Sequence, residues 1–203
     1  MNDAGTVAFR AGNGARVVTA SGGVIATIAD SSGPLNYFGS APSINGAGTV
    51  AFGGGVGGID GGGYGIYSGN GGLPTTIADL SGPFNYFDLD YGNPSINGAG
   101  SVAFVAGRDA GGGGLFIGDG AVMGEVIGDG DALFGSTVTG LSISPTSLND
   151  IGQVAFYYEL ANGTTGIAIA TPTPEPSSTM LVVLSLGLSL ARRTRWQSSA
   201  QQS

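Results

Sequence analysis

The 203-residue chain has no cysteine, no histidine and no lysine; its cationic side chains are six arginines. Without cysteine there is no disulfide staple and no thiol nucleophile. Without histidine there is no Ser-His-Asp triad, no Cys/His zinc site and no His-ligated haem within the chain. Without lysine there is no Schiff base and no P-loop lysine. Charged residues of any kind make up only 10% of the sequence. Glycine is abundant instead, at 41 residues, and it follows no Gly-X-Y period, which excludes a collagen helix. Hydrophobic residues reach 41%, enough to bury a core, so this is not a disordered acidic chain. The length fits one domain, or one repeat array with a tail.

The charge is unevenly placed. Residues 1–171 carry Arg10, Arg16 and Arg108 against eleven Asp, Glu125 and Glu159, giving −10, whereas the remainder sets Glu175 against Arg192, Arg193 and Arg195, giving +2. An acidic body with no basic patch argues against nucleic acid, because phosphate binding needs a density of Lys and Arg.

The chain repeats itself. "NDAGTVAF" from Asn2, "NGAGTVAF" from Asn45, "NGAGSVAF" from Asn97 and "NDIGQVAF" from Asn149 align, with the asparagines 43, 52 and 52 residues apart. A second column reads "GIYSGNGG" from Gly65, "GLFIGDGA" from Gly114, "GIAIA" from Gly166 and, loosely, "RVVTASGG" from Arg16. A third reads "ATIADSSGPLNYF" from Ala26 and "TTIADLSGPFNYF" from Thr75, with a degenerate copy, "EVIGDGDALF", from Glu125. "PSIN" at Pro42 and Pro94 leads into the next unit, and Ser147-Leu148-Asn149 stands there before the last one. These runs are short, β-branched or aromatic, and bounded by Gly, Asn, Asp and Pro, which predicts strands. Val50 and Phe52 are two apart and so share a strand face. The recurring Asn-x-x-Gly reads as turn chemistry rather than as a ligand site.

A unit of about 50 residues with four short strands has the size of a propeller blade. The predicted fold is therefore all-β: tandem four-stranded repeats over residues 1–170, starting near residues 2, 45, 97 and 149, β-propeller-like but incomplete. The Val/Phe and Ile/Tyr columns are expected to fill the gaps between blades. A β-solenoid is the main competing architecture.

Chemistry candidates within the repeats are weak. "DLDYGN", Asp88 to Asn93, faintly resembles the start of a calcium loop, but the twelfth position is Ala99 rather than Glu. "GDGD", Gly128 to Asp131, could offer Asp129 and Asp131 to a cation, without the multi-rung periodicity that makes such sites convincing. The glycine string Gly53 to Gly63 lacks a following Gly-Lys-Ser/Thr and reads as a loose inter-strand loop. These residues designate no catalytic, cofactor or metal site.

After Ala170 the composition changes. "TPTPEPSS" predicts an extended spacer over residues 171–178. The segment 179–203 then holds the uncharged run Met180 to Ala191 followed by Arg192, Arg193 and Arg195. Twelve residues make about 18 Å of helix, short for a hydrocarbon core of about 30 Å unless arginines snorkel and the bilayer thins. The arginines favour the cytoplasmic side, which would leave the repeats outside.

This tail resembles the PEP-CTERM sorting signal of Gram-negative bacteria. Pro174, Glu175 and Pro176 match its motif, and Arg192, Arg193 and Arg195 match its basic end. The resemblance covers about 25 residues. It implies export, recognition and cleavage by the membrane enzyme exosortase, transient residence in the inner membrane, and association with cell surface and exopolysaccharide. An exported chain needs an N-terminal signal peptide. Here Met1 runs directly into repeat consensus, so the expectation is that upstream sequence supplies the signal and further blades. The function expected is that of a surface or matrix repeat protein with a binding or structural role and no cofactor. A propeller-type carbohydrate-active enzyme and a calcium-stabilised adhesin are the alternatives.

Overall fold

A computed structural model describes residues 1–57, 63–87 and 93–172, together with a strand at Trp196–Ser199. No α-helix occurs among the described residues, and all of the regular structure is antiparallel β. The apolar helix expected at 180–191, the Pro-Glu-Pro spacer and the three tail arginines lie outside the described residues. So does most of "DLDYGN".

Sheet I is β1 (Val7–Ala11), β2 (Arg16–Ser21) and β3 (Val24–Asp30) in that order. Sheet II sets β4 (Tyr37–Phe38) and β5 (Ser43–Ile44) side by side along β6 (Val50–Gly55), followed by β7 (Tyr64–Gly69) and β8 (Thr75–Asp79). Sheet III repeats the plan with β9 (Phe84–Phe87) and β10 (Ser95–Ile96) along β11 (Val102–Arg108), then β12 (Gly113–Gly118) and β13 (Met123–Gly128). Sheet IV runs β14 (Ala132–Leu133), β15 (Ser136–Ser142), β16 (Val154–Leu160), β17 (Thr165–Pro172) and β18 (Trp196–Ser199).

The sheets are out of phase with the sequence repeats. Each repeat begins at its Asn-x-x-Gly turn, yet the first strand of a sheet comes from the end of the repeat before it: β4 and β5 join β6, and β9 and β10 join β11. Neighbouring repeats are thereby laced together through the main chain. This blade order makes the body a propeller-like tandem array of sheets.

The Val-Ala-Phe columns form β1, β6, β11 and β16, and the Gly-Ile-Tyr columns form β2, β7, β12 and β17. The last two strands of sheets I to III share one irregularity. Their register shifts between Val17 and Val18, between Ile66 and Tyr67, and between Leu115 and Phe116. These are equivalent positions, so a β-bulge is part of the repeat, and it twists each sheet locally in the same way.

Side chains alternate between two faces along each strand. Val50 and Phe52 point back to the preceding sheet, where they meet Val17 and Ile28 of sheet I. Ala51 and Ile66 point forward, where they meet Val102, Phe104 and Phe116 of sheet III. Ala103 and Leu115 in turn meet Val154 and Phe156 of sheet IV. Each core is thus a seam between successive sheets, filled by the columns expected to fill it. In the II–III seam Phe104 lies 5.9 Å from Phe84, 6.1 Å from Phe87 and 5.7 Å from Phe116 between ring centres.

Two expectations need correction. The string from Gly53 is not wholly a loop: Gly53, Gly54 and Gly55 are buried inside β6. A Cβ at Gly55 would come within 2.6 Å of the Tyr64 ring, and one at Gly54 within 3.0 Å of Leu35. Glycine stands there because aromatic and aliphatic neighbours lie directly against the backbone. Gly58 to Gly62 fall outside the described residues. The second concerns the degenerate copy "EVIGDGDALF", whose last residues, Ala132 to Phe134, are more than a worn repeat. It folds back as the β14–β15 hairpin through Phe134 and Gly135, both at positive φ (49° and 80°), as a two-residue type I′ turn requires.

Candidate functional site

The chemically richest recurring feature is the seam itself. Each Asn-x-x-Gly turn is closed locally in the same way. The amide of the glycine donates to the asparagine carbonyl (Gly5 to Asn2 3.0 Å, Gly48 to Asn45 3.1 Å, Gly100 to Asn97 3.0 Å, Gly152 to Asn149 3.0 Å). The asparagine Oδ1 accepts from the residue four ahead: Thr6, Thr49, Ser101 and Gln153. That leaves the Nδ2 group, which in the first three copies reaches out of its own repeat and in the fourth turns onto Gln153 Oε1 at 3.0 Å. Asn2 Nδ2 donates to the Asn45 carbonyl at 3.0 Å, Asn45 Nδ2 to the Asn97 carbonyl at 3.0 Å, and Asn97 Nδ2 to the Asn149 carbonyl at 3.3 Å.

A serine runs beside this ladder. Ser43 Oγ accepts the Ile96 amide at 3.1 Å, and Ser95 Oγ accepts the Leu148 amide at 2.9 Å. One sheet therefore reads the backbone of the next with an acceptor and a donor two residues apart. Ser43, Ser95, Asn45 and Asn97 are all buried. Buried polar groups of this kind are costly unless satisfied. Their bonds fix both the spacing and the register between sheets.

A further backbone contact closes on two of the seams. The β7–β8 turn places Gly71 against the Thr27 carbonyl, and the β12–β13 turn places Gly120 against the Thr76 carbonyl, where a Cβ would come within 2.7 Å. Beside the first of these contacts lies a groove of about 410 Å³, lined by residues that include Asp30, Ser32, Pro34, Leu73 and Pro74. Asp30 accepts the Ser32 amide and hydroxyl, and these bonds hold its carboxyl below the usual carboxylate range. Asp79 makes the same turn with Ser81, so this carboxylate is a feature of the repeat. In the same I–II seam, burial pushes the Tyr67 hydroxyl up, with the Asp79 charge adding to it.

Arg108 belongs to no column. Its Nη1 is 2.8 Å from Glu125 Oε1 and its Nη2 donates to the Asp129 carbonyl at 3.1 Å. Asn85 Nδ2 donates to the Arg108 carbonyl at 2.8 Å. A Cβ at Gly128 would lie 2.7 Å from Nη1, so this glycine makes room for the guanidinium. The arrangement ties β9, β11 and β13 together across sheet III.

The "GDGD" carboxylates are spoken for by the main chain. Asp129 Oδ2 accepts the Gly113 amide at 2.6 Å, and Asp131 Oδ2 accepts the Gly128 amide at 2.8 Å. Among the described residues there is no group of three or more His, Cys, Asp or Glu side chains placed to hold a metal ion. No described helix is long and apolar enough to cross a membrane. Pro174, Glu175, Pro176, Arg192, Arg193 and Arg195 lie outside the described residues. Sequence reasoning recognised the asparagine column but missed its reach across repeats; the signal available was that all four copies carry Asn, where a turn alone tolerates Asp or Gly.

Fold and seam define an all-β tandem repeat protein whose units are joined by a ladder of side-chain amides. The chain belongs to DUF7453, a family of unknown function, whose model matches residues 1–180. Comparison with the curated proteins and with the solved structures found no match.

Proposed function

We propose that this is an exported repeat protein of the cell surface or extracellular matrix, with a binding or structural body, sorted and processed through its C-terminal PEP-CTERM signal. The observation that carries the reading is the order of three features in the tail: Pro174-Glu175-Pro176, the uncharged run Met180 to Ala191, and Arg192, Arg193 and Arg195. A structural or binding role for the body is supported by the use of its repeated polar side chains. Asn45, Asn97, Ser43 and Ser95 are committed to neighbouring sheets, and Asp30 and Asp79 to their own turns. The partners are then exosortase during processing, the inner membrane through the tail, and extracellular polysaccharide at the acidic body.

Pro174 and Pro176 cannot extend a helix backwards, so in this reading the spacer stays extended and open to the processing enzyme. Arg192 and Arg193 resist transfer across the bilayer and hold the end in the cytoplasm, so in the membrane-inserted precursor β18 is detached from β17, its partner in this structure. The test is expression behind a signal peptide in an exosortase-bearing host, with intact-mass analysis of the mature protein. The parent should lose everything after roughly the Pro-Glu-Pro motif. A variant with Pro174, Glu175 and Pro176 all changed to Ala should keep its tail and remain in the inner membrane. Equal processing and release of both chains would overturn the reading.

A further inference from the structure

Asparagine followed by glycine is a pair at which a polypeptide can modify itself. The glycine amide nitrogen attacks the asparagine Cγ. A C–N bond forms, the Cγ–Nδ2 bond breaks, and the side-chain amide leaves as ammonia with the proton that the main-chain nitrogen gives up. Water then opens the cyclic imide at either carbonyl and yields aspartate or isoaspartate, so no oxidant, reductant or cofactor is consumed. Glycine favours the attack because it has no side chain to obstruct it. The chain holds five such pairs, at Asn13, Asn45, Asn70, Asn97 and Asn162. Sequence alone ranks them equally.

The fold does not. Ring closure needs a free side-chain amide, an untethered glycine nitrogen and a backbone able to swing one onto the other. Asn45 and Asn97 are buried in the seams. Each uses both Oδ1 and Nδ2 in the ladder, and the Gly98 amide is further held by Asp150 Oδ1 at 2.7 Å. Asn162 is exposed, but its Oδ1 accepts the Thr164 amide at 3.0 Å, and the Gly163 amide donates to the Leu160 carbonyl at 2.8 Å. Asn13 stands in a tight turn closed by the Ala15 amide on the Gly12 carbonyl, and Gly12, Asn13 and Gly14 are all held at positive φ (63°, 57° and 89°). Asn70 differs from these four. It is exposed in the β7–β8 turn and lies outside the left-handed region. Among the described residues neither its side chain nor the Gly71 amide makes a hydrogen bond.

We propose that Asn70-Gly71 is a self-modification site, the pair at which the folded protein deamidates first. The consequence follows from where the pair lies. Gly71 presses on sheet I, where a Cβ would come within 3.2 Å of the Thr27 carbonyl oxygen. Gly71, Gly72, Leu73 and Pro74 also wall the groove between sheets I and II. Isoaspartate at position 70 carries the main chain through the former side chain and so adds a backbone carbon to this turn. Either product adds a carboxylate to an already acidic body. The lengthened turn no longer fits against Thr27, and the I–II seam loosens. Loss of ammonia makes the step run in one direction, so the modified fraction records the age of the molecule. The site does not depend on the sorting reading.

The test ages the full chain in a non-ionic detergent at mildly alkaline pH. Chymotryptic peptide mapping by mass spectrometry follows each pair and scores isoaspartate separately from aspartate. The peptide covering residues 68–80 should gain the deamidation mass first. Asn45 and Asn97 should react more slowly by about tenfold or more, since each must first open several hydrogen bonds. In denaturant the five pairs should react at similar rates, which assigns the order to the fold. Asn70→Gln, whose longer side chain closes the ring poorly, should fold like the parent and stay unmodified at that position. Aged parent should melt below both fresh parent and equally aged Asn70→Gln. Asn70→Asp adds the charge without the extra backbone atom, and its fresh protein should melt between fresh and aged parent. Faster reaction in the folded chain at any of the other four pairs would overturn the assignment. An aged parent that has converted at Asn70 yet melts like equally aged Asn70→Gln would overturn the loosening of the seam.

Discussion

Asn45 donates its side-chain amide to the carbonyl of Asn97, 52 residues away, at 3.0 Å, and both residues are buried. The bond joins two identical turns in successive repeats, so the residue that shapes one turn also sets its distance from the next. Asn97→Ala should therefore destabilise by more than the loss of one turn would. It strands the Ser101 amide and removes the donor to the Asn149 carbonyl. A buried group left unpaired costs about 1–3 kcal/mol. Asn149→Ala, at an exposed position whose Nδ2 bond stays within its own turn, should cost less. Chemical denaturation of both variants checks the order, and equal losses would mean that the ladder contributes nothing beyond the turns.

The strand columns and the seams they fill were legible because burial between sheets imposes a period of two on each strand, and repetition shows that period four times. Val50 and Phe52 could be assigned to one face on that ground alone. The phase of the sheets was not legible. A strand such as β9 bonds to β11 across a turn region, and nothing in "FNYF" says whether its partner lies upstream or downstream. Gly53 to Gly55 were misread because a glycine needed for close approach inside a strand looks the same in sequence as one in a loop. The β14–β15 hairpin was missed because Phe134-Gly135 is a poor match to the Asn-Gly expected of its turn. The ladder was missed because a local role for asparagine is sufficient to explain it until the next repeat is placed beside it.

Phe104 and Phe9 occupy the same column, yet only Phe104 is covered by a preceding sheet. Phe104→Ala should cost about 3–5 kcal/mol, as removal of a fully buried ring does. Phe9→Ala, at a half-exposed position, should cost well under half of that. Urea titration followed by tyrosine fluorescence gives both values. Similar losses at the two positions would show that the seams do not carry the stability.

Gly120 and Gly130 both have positive φ, 92° and 89°. Alanine at either position bears backbone strain of about 1–2 kcal/mol. At Gly130 the added methyl meets nothing, whereas at Gly120 it falls 2.7 Å from the Thr76 carbonyl of the preceding sheet. That carbonyl belongs to a strand and cannot yield cheaply. Gly120→Ala should therefore lower the denaturation midpoint clearly further than Gly130→Ala. If the two variants match, the β12–β13 turn does not press on sheet II.

Asp30 and Asp119 contribute to the acid limb of stability. Hydrogen bonds from Ser32 hold Asp30 below its ordinary value of 3.8, and backbone amides of Val122 and Ala121 do the same for Asp119. A carboxyl whose pKa is depressed by folding contributes stability that is fully present above the unfolded value. That contribution fades as pH falls through the folded one. The melting temperature should thus be flat from pH 7 to about 5 on this account and fall as pH drops below about 4. Asp30→Asn keeps an acceptor oxygen but cannot ionise, so it should melt below the parent at pH 6, and the gap should close toward pH 2. Ser32→Ala removes the hydroxyl donor alone and should show a smaller gap with the same pH dependence. Melting curves at half-unit steps from pH 2 to pH 6 decide the matter. A gap between parent and Asp30→Asn that persists unchanged at pH 2 would assign the loss to altered packing of the turn rather than to the carboxylate charge.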